Sequence, residues 1–133
     1  MFSEIGPDCH IETPLHANWG GKNVHIGEEV YINFNLCLVD DADIYIGDHT
    51  MIAPNVTIST AGHPVLPILR EHNFVYNFPV HIGKNVWIGA GSVVTRDIGA
   101  NVVAYGSPCK AVRPIGEKDR KYYFKNYELD VTE

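Results

Sequence analysis

With 133 residues the chain is long enough for one domain with a modest core and too short for two independent ones. A hydrophobic fraction of 45% and a charged fraction of 20% exclude disorder of the chain as a whole. A net charge of −6 excludes nucleic acid as the main partner, because phosphate binding needs a basic face and Lys and Arg cluster only from Lys110 to Lys125, interspersed with acids.

In chain order, a hydrophobic residue followed by a small or short polar one recurs every six positions. Residues 1 to 23 open with Ile5-Gly6 and Ile11-Glu12 and then break into a Gly-rich turn between Pro14 and Lys22, which predicts a first, imperfect coil. From Ile26-Gly27 the step continues through Ile32 and Leu38, slips across the aspartates of Val39 to Asp43, and resumes at Ile46-Gly47, Ile52-Ala53 and Ile58-Ser59. Residues 59 to 79 lack the period and carry Gly62, Pro64, Pro67 and Pro79, so they are expected to leave the scaffold as a long loop, a kind of segment that is often functional. The repeat returns at Ile82-Gly83, Ile88-Gly89 and Val94-Thr95 and ends at Ile98. Gly99 to Pro114 reads as a terminating coil, and 117–133 as a tail, one short helix or an extended strap, packing its aromatics on the last coil.

A period of six fits neither the 3.6 of a helical face nor the 2 of a strand face. It fits a chain that turns a corner after each short strand, the pattern of a parallel β-helix. The expected fold is therefore all-β, one domain over 1–116, with aliphatic residues pointing inward. The small residue after each is expected to let the backbone bend, and small or branched residues recur four places on at Thr50, Val56, Val86 and Ser92. No apolar run approaches the roughly 20 residues that span a bilayer, and the N-terminus lacks a basic segment followed by an apolar stretch. A soluble cytoplasmic protein without membrane contact is expected. Cys9, Cys37 and Cys109 are odd in number and lack metal spacing, so they are expected to be free thiols, mostly buried.

Six of the seven histidines lie beside corners, in the N-terminal coil or within the loop, where surface or structural roles are the ordinary reading. Their spacings form no metal motif. His63 differs, because Thr60-Ala61-Gly62-His63-Pro64 stands where the repeat stops and the loop begins. A residue there projects from the edge of a rigid scaffold, where catalytic groups are commonly placed.

Asn33-Phe34-Asn35, Asp40-Asp41, Ile52-Ala53-Pro54-Asn55-Val56, Gly62-His63-Pro64, Ile82 through Gly89, Gly91 through Ile98 and Gly106-Ser107-Pro108-Cys109 together resemble the galactoside and maltose O-acetyltransferases. Hexapeptides alone would also suit a carbonic anhydrase, but three zinc histidines in suitable positions are missing. The resemblance implies a left-handed parallel β-helix, a homotrimer, acetyl-CoA as co-substrate without a metal, and a sugar or related small alcohol as acceptor. It implies His63 as the general base, a role a neutral imidazole suits near physiological pH. It further implies Asn33 and Asp41 on the acceptor. Trp87, Ala90, Thr95, Arg96, Lys110 and Arg113 would lie along the cofactor, with the cations meeting its phosphates.

The chain departs from the family's pattern in starting beyond an N-terminal helical segment of the family and in running from Ile88-Gly89 straight into Ala90-Gly91-Ser92, where members have a further coil. The expectations are a more open acceptor pocket and a shortened cofactor groove. The alternative from another class is a catalytically impaired relative serving as a binding or structural module.

Overall fold

A computed structural model of the protein describes residues 1–125 together with 127 and 128. The first coil comprises β1 (Glu4–Ile5), β2 (His10–Ile11) and β3 (Leu15–Ala17), and the second β4 (Val24–Ile26), β5 (Tyr31–Ile32) and β6 (Leu36–Val39). The third comprises β7 (Ile44–Ile46), β8 (Met51–Ile52) and β9 (Thr57–Ser59). An excursion holding β10 (Ala61–Gly62), α1 (Pro67–Glu71) and β11 (Tyr76–Asn77) then leaves the scaffold, and β12 (Val80–Ile82), β13 (Trp87–Ile88) and β14 (Val93–Val94) form the fourth coil. β15 (Val102–Gly106), β16 (Cys109–Pro114), α2 (Glu117–Lys121), β17 (Tyr122–Phe124) and β18 (Tyr127–Glu128) complete the described chain.

Corresponding strands of successive coils pair in parallel and make the three faces of a left-handed β-helix. The first face runs β1-β4-β7-β12, the second β2-β5-β8-β13-β15 and the third β3-β6-β9-β14. The inward positions are the ones the period of six marks: Ile26, Ile46 and Ile82 on the first face, Ile32, Ile52 and Ile88 on the second, and Leu38, Ile58 and Val94 on the third, all buried. Thr50, Val56, Val86 and Ser92 are buried with them. The hydroxyls are satisfied, Thr50 Oγ1 donating to Gly83 O at 2.8 Å and Ser92 Oγ to Gly89 O at 2.7 Å.

The structure corrects several expectations. Glycine follows isoleucine at Gly27, Gly47 and Gly83 because of close approach, not bending: a Cβ on Gly47 would lie 2.5 Å from the carbonyl carbon of Gly83 in the next coil. Bending is done three residues after each first-face isoleucine, where Glu29, His49, Asn85 and Asn101 take positive φ. The first coil is complete, since β1, β2 and β3 each pair with the second coil, although Ile5 stays 49% exposed at the open end. The segment 99–114 is no plain coil, because the chain reverses after Gly106 (φ 109°) and β16 returns antiparallel to β15. Cys109 is buried, but Cys9 and Cys37 are only half-buried, Cys37 pointing outward between the inward Leu36 and Leu38. The tail is a short helix followed by an antiparallel pair, and Tyr127 is exposed. The packing expected of Tyr123 and Phe124, and the tail's end at 129–133, lie outside the described residues.

Outside the first face, His25, Tyr45 and His81 share a register position and stack with ring centroids 4.4 and 4.7 Å apart. His25 also bonds Glu4 Oε2 at 2.7 Å and Asp43 Oδ1 at 3.0 Å. Burial opposes its charge, but the hydrogen bonds to Asp43 and Glu4 and their negative charge outweigh it and raise the imidazole above its ordinary 6.5. A raised folded-state value means the imidazolium is bound more tightly in the folded chain. Its stabilisation is full below 6.5 and lost as pH rises through the raised value. Denaturant titration across that window is expected to show a fall in stability that is absent in His25→Gln.

Candidate active site

The corner between the third and first faces is set by register. Ala17 is level with Leu38 and Leu38 with Ile58, so Trp19, Asp40 and Thr60, each two residues on, stack in successive coils about 4.8 Å apart. Thr60 binds two coils together, its Oγ1 donating to Val39 O at 2.8 Å and accepting the Ala42 N–H at 2.9 Å. The segment carrying Asp41 is thereby fixed against the base of the excursion. There β10 pairs antiparallel with β11, and the end of the Tyr76 side chain lies against Gly62, the residue before His63. His63 leaves the closed base exposed to solvent. His63 and Asp41 therefore belong to one corner, one coil apart, and Thr95 and Arg96 join them from the fourth coil, because Val94 is level with Ile58.

Asn33 stands elsewhere. It follows β5 at the corner between the second and third faces, where its Oδ1 accepts the Phe34 N–H at 2.8 Å. The whole of β6 separates it from Asp41, so the two occupy opposite ends of the third face within one chain. Ala90 shares the Asn33 corner, since Ile32, Ile52 and Ile88 are in register. Trp87 points outward from the second face with 54% of its surface exposed. It lines an open groove of about 530 Å³ with His49, Met51, Val86, Ile115 and Arg120. A second groove of about 410 Å³ runs along the first face past His25, Tyr45 and His81. Neither includes His63, Asp41 or Asn33.

Lys110 and Arg113 lie on β16 beside the second face, paired with Tyr105 and Val103. Lys110 is exposed, whereas Arg113 makes a two-pronged contact with Asp119, Nη1 to Oδ2 at 2.9 Å and Nη2 to Oδ1 at 2.8 Å. That contact raises the Arg113 pKa and, with the Gly116 N–H, holds the Asp119 carboxyl well below the usual carboxylate range. Burial pushes the Cys109 thiol up despite a hydrogen bond with Ser92, which leaves it a protonated core residue and no nucleophile.

Two features escaped sequence reading. The buried Asp40 carboxylate accepts the backbone N–H groups of Trp19 at 2.8 Å and Gly21 at 3.1 Å, which locks the Gly-rich turn. Asp41 Oδ1 accepts from Asn18 Nδ2 at 3.1 Å and Trp19 Nε1 at 3.2 Å. The only sequence signal was an indole beside Gly20-Gly21, which reads as a turn.

No family model matches the chain. A galactoside O-acetyltransferase from Lactococcus lactis is 50% identical over all of this chain and 73% of its own length. The structure of a galactoside acetyltransferase in complex with coenzyme A superposes with a TM-score of 0.85 at 44% identity, covering 98% of this chain and 74% of that one. The chain belongs to the galactoside and maltose O-acetyltransferase family. A maltose O-acetyltransferase from Clostridium difficile agrees, with a TM-score of 0.72 at 38% identity over 87% of this chain and 71% of its own. As a member of this family the protein is a hexapeptide-repeat acyltransferase. The Lactococcus alignment runs over 151 positions while the chain has 133 residues, so the relative carries 18 positions in that span that this chain lacks. Eighteen is three hexapeptides, one coil of the helix.

Proposed function

We propose that this acyltransferase moves the acetyl group of acetyl-CoA to a hydroxyl of a sugar or related small alcohol. His63 takes the hydroxyl proton as the oxygen attacks the thioester carbonyl. The carbon–sulfur bond then breaks, and the departing thiolate recovers the proton from the imidazolium. Asp41 and Asn33 hold other acceptor hydroxyls, and Trp87, Ala90, Thr95, Arg96 and Lys110 line the donor's path. Arg113, engaged with Asp119, would have to release it to meet a phosphate. No metal takes part, and acetyl-CoA is drawn from the cytoplasm.

The observation that carries this reading is the division of the site between two corners. Asp41 and His63 flank one side of the third face and Asn33 and Ala90 the other. A cyclic trimer with the third face toward its axis sets the Asn33 corner of one subunit against the His63 corner of the next. The side chains facing outward from that face, His16, Cys37, Val39, Thr57, Ser59 and Val93, include no acid, lysine or arginine to oppose such packing. Sedimentation is expected to give a trimer at micromolar concentration, and a stable monomer would remove the proposed site. Release of free thiol from acetyl-CoA in the presence of a panel of sugars tests the activity itself. A folded trimer that releases none with any sugar would instead fit an impaired relative, the reading favoured by the 18 missing positions.

A further inference from the structure

The Trp19 indole has no part in closing the β-helix, yet it is held in place by two residues of the site corner. Its backbone N–H is fixed by the buried Asp40, and its Nε1 donates to Asp41 at 3.2 Å. The residue is still 54% exposed. Lys22 Nζ sits 4.8 Å from the ring centroid and takes up one side of it. Stacking of successive coils puts Trp19 two strand spacings, about 10 Å, from the level of His63, with Asp41 between them. A large aromatic surface, a carboxylate and an imidazole therefore follow one another along a single corner.

We propose that Trp19 is an acceptor-binding residue, an aromatic platform on which the apolar face of a pyranoside lies while Asp41 binds its hydroxyls and His63 meets the hydroxyl to be acetylated. The C–H groups on one face of a pyranose carry partial positive charge and suit the negative face of an indole. Pockets that take small polar molecules combine such aromatic walls with a few placed polar groups. The Nε1 hydrogen bond fixes the ring relative to Asp41, so platform and carboxylate act on one ligand. The donor then occupies the opposite direction along the prism, toward Thr95 and Arg96. The inference rests on the reading of the site given above, to which it adds Trp19.

Two measurements test it. In steady-state kinetics with methyl galactoside and with maltose, Trp19→Ala is expected to raise the acceptor KM about tenfold or more, with kcat and the KM for acetyl-CoA within about threefold of the native values. Trp19→Phe, which keeps an aromatic face, should recover most of the loss. A rise in both KM values together, or a fall in kcat at unchanged acceptor KM, would overturn the proposal. The second measurement needs no donor and no turnover. The chain has two tryptophans, so in Trp87→Phe the emission comes from Trp19 alone. Titration with methyl galactoside or maltose is expected to shift or quench that emission saturably, and glycerol at the same concentration is not. Unchanged emission with both sugars overturns the platform even where the native chain acetylates them, whereas a native chain that quenches with sugar but releases no thiol keeps the platform and overturns the transferase reading.

Discussion

Replacement of His63 by alanine is expected to lower acetyl transfer by roughly 10²–10⁴-fold, the range for losing a general base. An alcohol is a poor nucleophile until its proton leaves, and His63 places an imidazole exposed to solvent at this corner. The pair β10 and β11 closes the base of the excursion behind it, and Thr60 ties that base to the Asp41 segment. The substitution touches none of these contacts, so the fold should survive it. Acetyl-CoA affinity, measured by calorimetry on the same variant, should change little, because a proton acceptor acts in the transition state and not in holding the donor. Near-normal turnover in His63→Ala would move the assignment to His72 in the same excursion.

The interior was legible because one aliphatic residue in six has nowhere to point but inward once each strand ends in a corner. Ile26, Ile32 and Leu38 needed no partner to be recognised as core. The glycines of the Ile-Gly pairs were seen but misread, because the cause lies in the neighbouring coil: the backbone at Gly83 occupies the space a Cβ on Gly47 would need. No spacing within one strand discloses that. Non-local contacts set the same limit at the site. Trp19 and Asp41 are 22 residues apart in sequence, and they meet only because the first coil stacks on the second in the observed register. The separation of Asn33 from Asp41 by the width of β6 also needed the prism, since eight residues along a chain do not tell which corner each occupies. His63 was singled out because it stands at a break in an otherwise regular pattern.

Insertion of one family-like coil after Gly89 is expected to tighten acetyl-CoA binding roughly ten- to a hundred-fold, the worth of one charge-assisted contact at about 1.5–3 kcal/mol. The second face runs β8, β13, β15 and β16, so Lys110 on β16 stands three strand spacings, about 14 Å, beyond the coil from which His63 departs. One further coil of 18 residues between these strands would place Lys110 one spacing, about 4.8 Å, farther away. The pantetheine arm has a fixed length, and with His63 as the proposed base its thioester has to reach that residue. On the shorter prism the nucleotide is therefore expected to overhang the end, where Lys110 is exposed but Arg113 is already bound to Asp119. Eighteen residues preserve the inward phase of every later position, so the insertion should extend the helix without disturbing Ser92, Val94 or Ile98. Calorimetry on the two chains side by side decides the matter. Equal affinities would show that the missing coil does not shorten the working groove, and a native chain that binds acetyl-CoA no better than acetyl-pantetheine would show that the nucleotide end makes no contact at all.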